Sequence, residues 1–236
     1  MSFSAVSKVW DEASFRTHIR ANASTIKRWA TGVTIHHTGS PCLADRPKGW
    51  TVQHLRNLAH FYGTELRWSS GPHFFTDEDQ VFGLSPVISP GVHARSFNKS
   101  HIGIEALGNY DTESPGTGRG LEVWNTTARV VAILLEELGW DESCVNFHRD
   151  DPQTSKTCPG SKVSYDWFRG LVRNSKARAP EPTKANAEAR SENQETPTPA
   201  EDFKELDKSI LSEARSRVAK AKWQLDTLLS QLDQLN

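Results

Sequence analysis

Between residues 175 and 200 the chain reads SKARAPEPTKANAEARSENQETPTPA and has almost no large apolar side chain. A segment of that composition cannot bury enough surface to offset the entropy of ordering it, so it predicts a disordered, flexible linker. The break confines any ordinary hydrophobic core to residues 1–174, where Trp, Gly, His and β-branched residues mix as they do in α/β domains. Beyond the linker, residues 201–236 contain no Gly or Pro and return to Leu and Ala at helical spacing, which predicts one long amphipathic helix.

The charges nearly cancel, with 28 basic against 29 acidic side chains and a net charge of -1. No whole-chain field is available to hold a phosphate backbone, so nucleic acid is not expected as a partner. The three cysteines, Cys42, Cys144 and Cys158, are odd in number and scattered, which does not describe a disulfide framework. At least one thiol must stay free, pair outside the chain or bind metal. Nowhere do eighteen apolar residues run together, so no transmembrane segment is expected, and MSFSAVSKVWDEASFRTH lacks the apolar stretch of a signal peptide. The expectation is a protein made and held in a cytoplasm.

Within the first domain, GVTIHHTG predicts a short buried strand ending at Thr38-Gly39, and TVQHLRNLAHFYGT an amphipathic helix closed by Gly63. GPHFFTDEDQVFGL predicts two short strands around the acidic turn Asp77-Glu78-Asp79, and HIGIEALGNY another strand. VWNTTARVVAILLEELGW is apolar at helical period from Val123 to Leu138 and should pack across the sheet, ending near Gly139.

Zinc asks for three or four borderline donors at one point, with His nitrogen and Cys sulfur preferred. His36-His37 close a strand, and His148 with Cys158 sit in the polar segment FHRDDPQTSKTCPG. Three protein ligands would leave a fourth position for water, as catalytic sites require. Each residue also has an ordinary reading: a lone His in a strand is more often a core or surface residue, and a lone Cys before Pro-Gly is often just small and buried. The His148-to-Cys158 spacing matches no short zinc-finger pattern.

Five segments in order, IHHTG, GPHFF, GVHARSFN, HIGIEALGNYD and HRDDPQTSKTCPG, resemble those of type 2 N-acetylmuramoyl-L-alanine amidases, relatives of peptidoglycan recognition proteins and amidase-type phage lysozymes. The resemblance spans roughly residues 28–172 and implies a mixed central β-sheet flanked by helices, with peptidoglycan as substrate. It implies zinc held by His36, His148 and Cys158. Neighbouring strand residues face opposite sides, so His36 and His37 should not both reach one metal. By the same resemblance, Lys156 stabilises the oxyanion and Glu105 handles the proton of the attacking water, while His93 and Asn98 are candidates to bind glycan or peptide, or to order their own loop. Where many family members carry a Tyr before the His-Phe pair, this chain has Pro72, which leaves the burden to Glu105 and Lys156.

The predicted activity is cleavage of the amide between N-acetylmuramic acid and L-alanine. The setting would be host-cell lysis by a phage or prophage endolysin that waits in the cytoplasm and acts on the wall. A non-catalytic peptidoglycan-binding module is the alternative, against which Cys158 and Lys156 argue; a structural zinc site is disfavoured because no fourth ligand is evident. In the tail, Leu211, Ala214, Val218, Ala221, Leu225, Leu228, Leu232 and Leu235 fill the a and d positions of a heptad frame, a coiled-coil pattern. That seam predicts that residues 201–236 self-associate or bind a partner helix; Arg215, Arg217 and Lys222 flank it with no acidic counterpart, which argues against an ordinary parallel homodimer.

Overall fold

The computed structural model describes residues 3–177, so the expectations for residues 178–236, the tail helix and its self-association among them, lie outside the described residues. The segment GVTIHH forms strand β2 (Gly32–His37), which lies between two parallel neighbours, β5 (His101–Ala106) and β6 (Val145–Phe147). A strand at the centre of a parallel sheet is covered on both faces, and five of its six residues are accordingly buried. Strand β3 (Phe74–Thr76) pairs parallel with β5 on its far side; β4 (Val81–Gly83) pairs antiparallel with β3, and β1 (Val9–Trp10) antiparallel with β4. The strand order is β1-β4-β3-β5-β2-β6. The fold is thus α/β, a mixed central sheet flanked by the helices α1 (Glu12–Ile26), α2 (Val52–Thr64), α3 (Gly118–Leu138) and α4 (Tyr165–Ala177).

Register divides the sheet into two chemically different faces, because partners opposite one another on neighbouring strands point the same way. Val33, Ile35, Ile102, Ile104 and Phe74 share the apolar face. There Phe74 meets Phe15 of α1 edge-on at 5.0 Å, Thr76 bonds Thr127 of α3 at 2.7 Å, and Phe147 meets Phe168 of α4 at 5.9 Å. The other face carries Thr34 and His36 from β2, His101, Gly103 and Glu105 from β5, and Phe75 from β3. Trp50, just before α2, packs edge-on against Phe75 at 5.5 Å, and the side chain of His93, from the loop before β5, lies over Gly103. The polar stripe on this second face is where chemistry can be housed.

Two element boundaries differ from expectation. Helix α2 does not close at Gly63 but runs on to Thr64, with Glu65 as its C-cap; Gly63 instead lets Phe3 lie close against the helix, 3.3–3.4 Å from where a Cβ would stand. Helix α3 starts at Gly118, ahead of its apolar stripe, and ends as expected at Gly139, which takes the left-handed conformation (φ 67°) of a helix stop.

The acidic β3–β4 turn is held by Asp77, which is buried and accepts backbone N–H bonds from Trp50 (2.8 Å), Gln80 (3.0 Å) and Asp79 (3.3 Å). Removing that acceptor strands the buried Trp50 N–H, so Asp77→Ala should destabilise the fold by about 1–3 kcal/mol in a denaturant titration. An unchanged midpoint would show that water replaces the carboxylate there.

Candidate metal centre

His36 is the next-to-last residue of β2, and alternation sends its side chain to the polar face while His37 goes to the other. Parallel β6 ends at Phe147, so His148 emerges beside His36 at the same C-terminal edge of the sheet, in a 3-10 turn. The chain then loops out and returns to place Cys158 against the end of β2, where its Sγ accepts from the His37 N–H at 3.4 Å. The three donor atoms lie within 4.8 Å of one another, and all three residues are buried.

The spacing suits a metal. His36 Nδ1 stands 3.1 Å from His148 Nδ1 and 3.8 Å from Cys158 Sγ. Two nitrogens and a sulfur on one tetrahedral zinc would be separated by about 3.3 Å (N to N) and about 3.6 Å (N to S), given the usual bond lengths. The two distances from His36 therefore match those around the ion, and the third pair, His148 and Cys158, lies within 4.8 Å. Burial and the neighbouring histidines hold His36 well below the ordinary imidazole pKa, and burial lowers His148 as well, so both offer lone pairs at neutral pH. Burial pushes the Cys158 thiol up, with Glu105 adding to the rise, so a cation must displace its proton to bind.

Glu105 pairs with His36 across β5 and β2, and its Oε1 lies 3.9 Å from His36 Nδ1. Burial lifts its pKa to about 8, and the Lys156 charge works against the rise. Lys156 is exposed on the loop leading to Cys158, close enough for its ammonium to depress His36, His148, Cys158 and Glu105 alike. His36, His148, Cys158 and Glu105 are brought together, within reach of the Lys156 charge. His37 is turned away: its Nδ1 accepts from Tyr110 N–H at 3.0 Å, and Asp111 lies 3.9 Å from its Nε2.

His93 reaches the centre from the loop before β5, with its Nδ1 at 3.1 Å from His36 Nε2. Asn98 stays with that loop, its Oδ1 accepting from the backbone N–H groups of His93 (2.7 Å) and Ala94 (2.8 Å). Neither placement tests a contact with glycan or peptide. Pro72 precedes His73, which is fully buried, accepts from Gly103 N–H and reaches Ser89 O, bracing the backbone beside the site.

Sequence reasoning did not single out the groups that hold the cysteine loop in place. Arg149 N–H donates to Cys158 O at 2.8 Å, and its guanidinium donates to Gly160 O (3.0 Å) and Val163 O (2.7 Å). Asp111 accepts from Thr157 Oγ1 (2.8 Å) and Ser161 N–H (2.7 Å), while Asp151 ties the His148 turn to Ser96 at 2.6 Å. In the sequence Arg149 and Asp151 are charges in a polar segment and Asp111 closes a strand motif, all indistinguishable from solvated side chains.

Comparison with solved structures finds the catalytic domain of XlyA, at 21% identity and a TM-score of 0.47 over 61% of this chain and 86% of that one. The N-acetylmuramoyl-L-alanine amidase LysC from Clostridium intestinale URNW gives 20% identity and 0.47 over 61% and 92%. Drosophila PGRP-LB gives 20% and 0.44 over 56% and 76%. No curated protein matches the chain. The N-acetylmuramoyl-L-alanine amidase family matches residues 27–161, a span that contains His36, Glu105, His148, Lys156 and Cys158 and more than half of the sequence, and the chain belongs to that family.

Proposed function

We propose that the protein is a zinc-dependent peptidoglycan hydrolase that cuts the amide between the lactyl group of N-acetylmuramic acid and L-alanine, with zinc on His36, His148 and Cys158. The observation that carries this reading is the convergence of those three buried donor atoms within 4.8 Å at the C-terminal edge of the parallel strands. Two imidazoles and a thiolate are a zinc set, and three ligands leave one position open, as catalysis requires. Zinc held there supplies Lewis acidity and draws the pKa of a water toward about 7.

The chain's own residues supply the rest. Glu105 takes a proton from the attacking water and returns it to the leaving nitrogen, and Lys156 faces the carbonyl oxygen as charge develops on it. The new C–O bond leaves a carboxylate on the lactyl group, and the broken C–N bond leaves a free amine on L-alanine. With Pro72 at the position where many members of the family carry a tyrosine, no side chain there shares the proton transfer. The setting is lysis of a host cell, either by release from its cytoplasm onto the wall or by a hydrolase carried on the virion.

The test is product analysis on purified walls. New L-alanine amines should appear while the number of sugar reducing ends stays constant. New reducing ends would instead identify a glycosidase, and wall binding without release of either product would identify a binding module.

A further inference from the structure

A glycine in the middle of a strand weakens it, and where one persists another group commonly approaches the backbone closely. Gly103 sits in the middle of β5, and a Cβ there would fall 2.6 Å from Cγ and 2.7 Å from Cδ2 of His93. The His93 ring therefore packs against the strand at the one position that has no side chain. Its backbone is clamped by Asn98, whose Oδ1 accepts from both the His93 and Ala94 N–H groups.

The ring is held at both ends. Its Nε2 lies 3.0 Å from His101 O, and its Nδ1 lies 3.1 Å from His36 Nε2. A carbonyl can only accept, so His93 carries its proton on Nε2. Crowded among His36, His73 and His101, with no carboxylate among these hydrogen bonds, the ring is neutral and its Nδ1 is a bare lone pair. The proton in the second hydrogen bond must then come from His36 Nε2. A neutral imidazole has one N–H, so His36 Nδ1 is left unprotonated, and it is this atom that faces His148 Nδ1 and Cys158 Sγ.

We propose that His93, seated on Gly103, is a positioning residue that locks His36 in its Nε2–H tautomer and so aims the Nδ1 lone pair at the metal. The claim about the metal rests on the zinc reading above; the claim about the tautomer does not. Outer partners of this kind orient ligand rings and raise ligand basicity. The route runs from the His101 carbonyl through His93 to His36, entirely within the face of β5 and β2 that carries the site.

Two measurements on the full chain test it. In the zinc-free native protein, nitrogen-15 spectra of the imidazoles should show His36 and His93 both protonated on Nε2 and bare on Nδ1. Zinc affinity, read by competition with a chelator, should then fall about 10–100-fold in His93→Leu, which has no acceptor. His93→Asn places its Oδ1 near the lost Nδ1 and should restore affinity to within a few-fold of native. Gly103→Ala, which pushes the ring off the strand while keeping the imidazole, should fall with His93→Leu.

A His36 protonated on Nδ1 in the zinc-free protein would overturn the proposal. So would native affinity in both His93→Leu and Gly103→Ala, or an Asn variant as weak as the Leu one. A native protein that binds no zinc would defeat the metal reading, while the nitrogen spectra would still decide the tautomer. The native spectra need no variant, so a variant that fails to fold leaves a decisive reading in place.

Discussion

Cys158→Ser, His36→Ala and His148→Ala should each strip the zinc from the protein and lower hydrolysis of purified walls by at least about a thousandfold, since metal is what brings a water from a pKa near 15.7 toward 7. Two remaining ligands cannot hold the ion in competition with solvent, and the group of mutually close donors has no fourth member among the described residues. Uptake should also weaken as pH falls. The Cys158 thiol is held high by burial, so zinc binding releases its proton, and acid opposes that release.

His37→Ala provides the contrast. It leaves the Tyr110 N–H without its acceptor and should cost about 1–3 kcal/mol of stability, yet the zinc should stay. Metal content by elemental analysis ranks the four variants. Full activity after complete chelation would falsify the zinc reading, and loss of metal from His37→Ala but not from His36→Ala would mean that the ligand is the neighbour.

What could be read in advance followed from periodicity. Strand β2 was legible because it is apolar and short, and α3 because its stripe from Val123 to Leu138 is long and ends at a glycine in the left-handed region. Helix α1 was not, because only Phe15, Ile19 and Ile26 of its fifteen residues are buried and the rest is polar. Strand β6 is three residues long, too short for a pattern, and its role becomes visible only through its pairing with β2.

The site divides in the same way. His36, Glu105, His148, Lys156 and Cys158 were read from ordered motifs that resemble those of the family, and the fold brings His148 and Cys158 to His36 across more than a hundred residues, with Glu105 3.9 Å from His36. The bond from His93 to His36 carries no local signal: it depends on a glycine in another element and on a loop clamped by Asn98. Sequence suggested His93 as a residue of the groove or of its own loop, and the structure shows it bonded to His36. No periodicity encodes a contact of that kind, since its partners are a strand end, a loop and a side chain that is missing.

Glu105→Gln should lower kcat by about 10²–10⁴-fold, the usual cost of removing a general acid or base. Lys156→Ala should lower it by about 10²–10³-fold, the cost of one donor at a developing oxyanion. Neither side chain is among the three donors, so both variants should retain zinc; loss of metal in Glu105→Gln would move that carboxylate into the coordination sphere. Their pH profiles separate the two roles.

Burial raises Glu105 to about 8 and Lys156 opposes that rise, so removing the lysine charge must raise the carboxylate further. A base acts only when ionised. The acidic limb of kcat/KM should therefore move to higher pH in Lys156→Ala and lose its Glu105 component in Glu105→Gln. Lys156→Arg, which keeps the charge, should keep the limb near its native position even if the geometry of the oxyanion contact suffers. A limb that moves to lower pH in Lys156→Ala would mean that the titrating group is not Glu105, and the proton would have to pass through another residue on the polar face of the sheet.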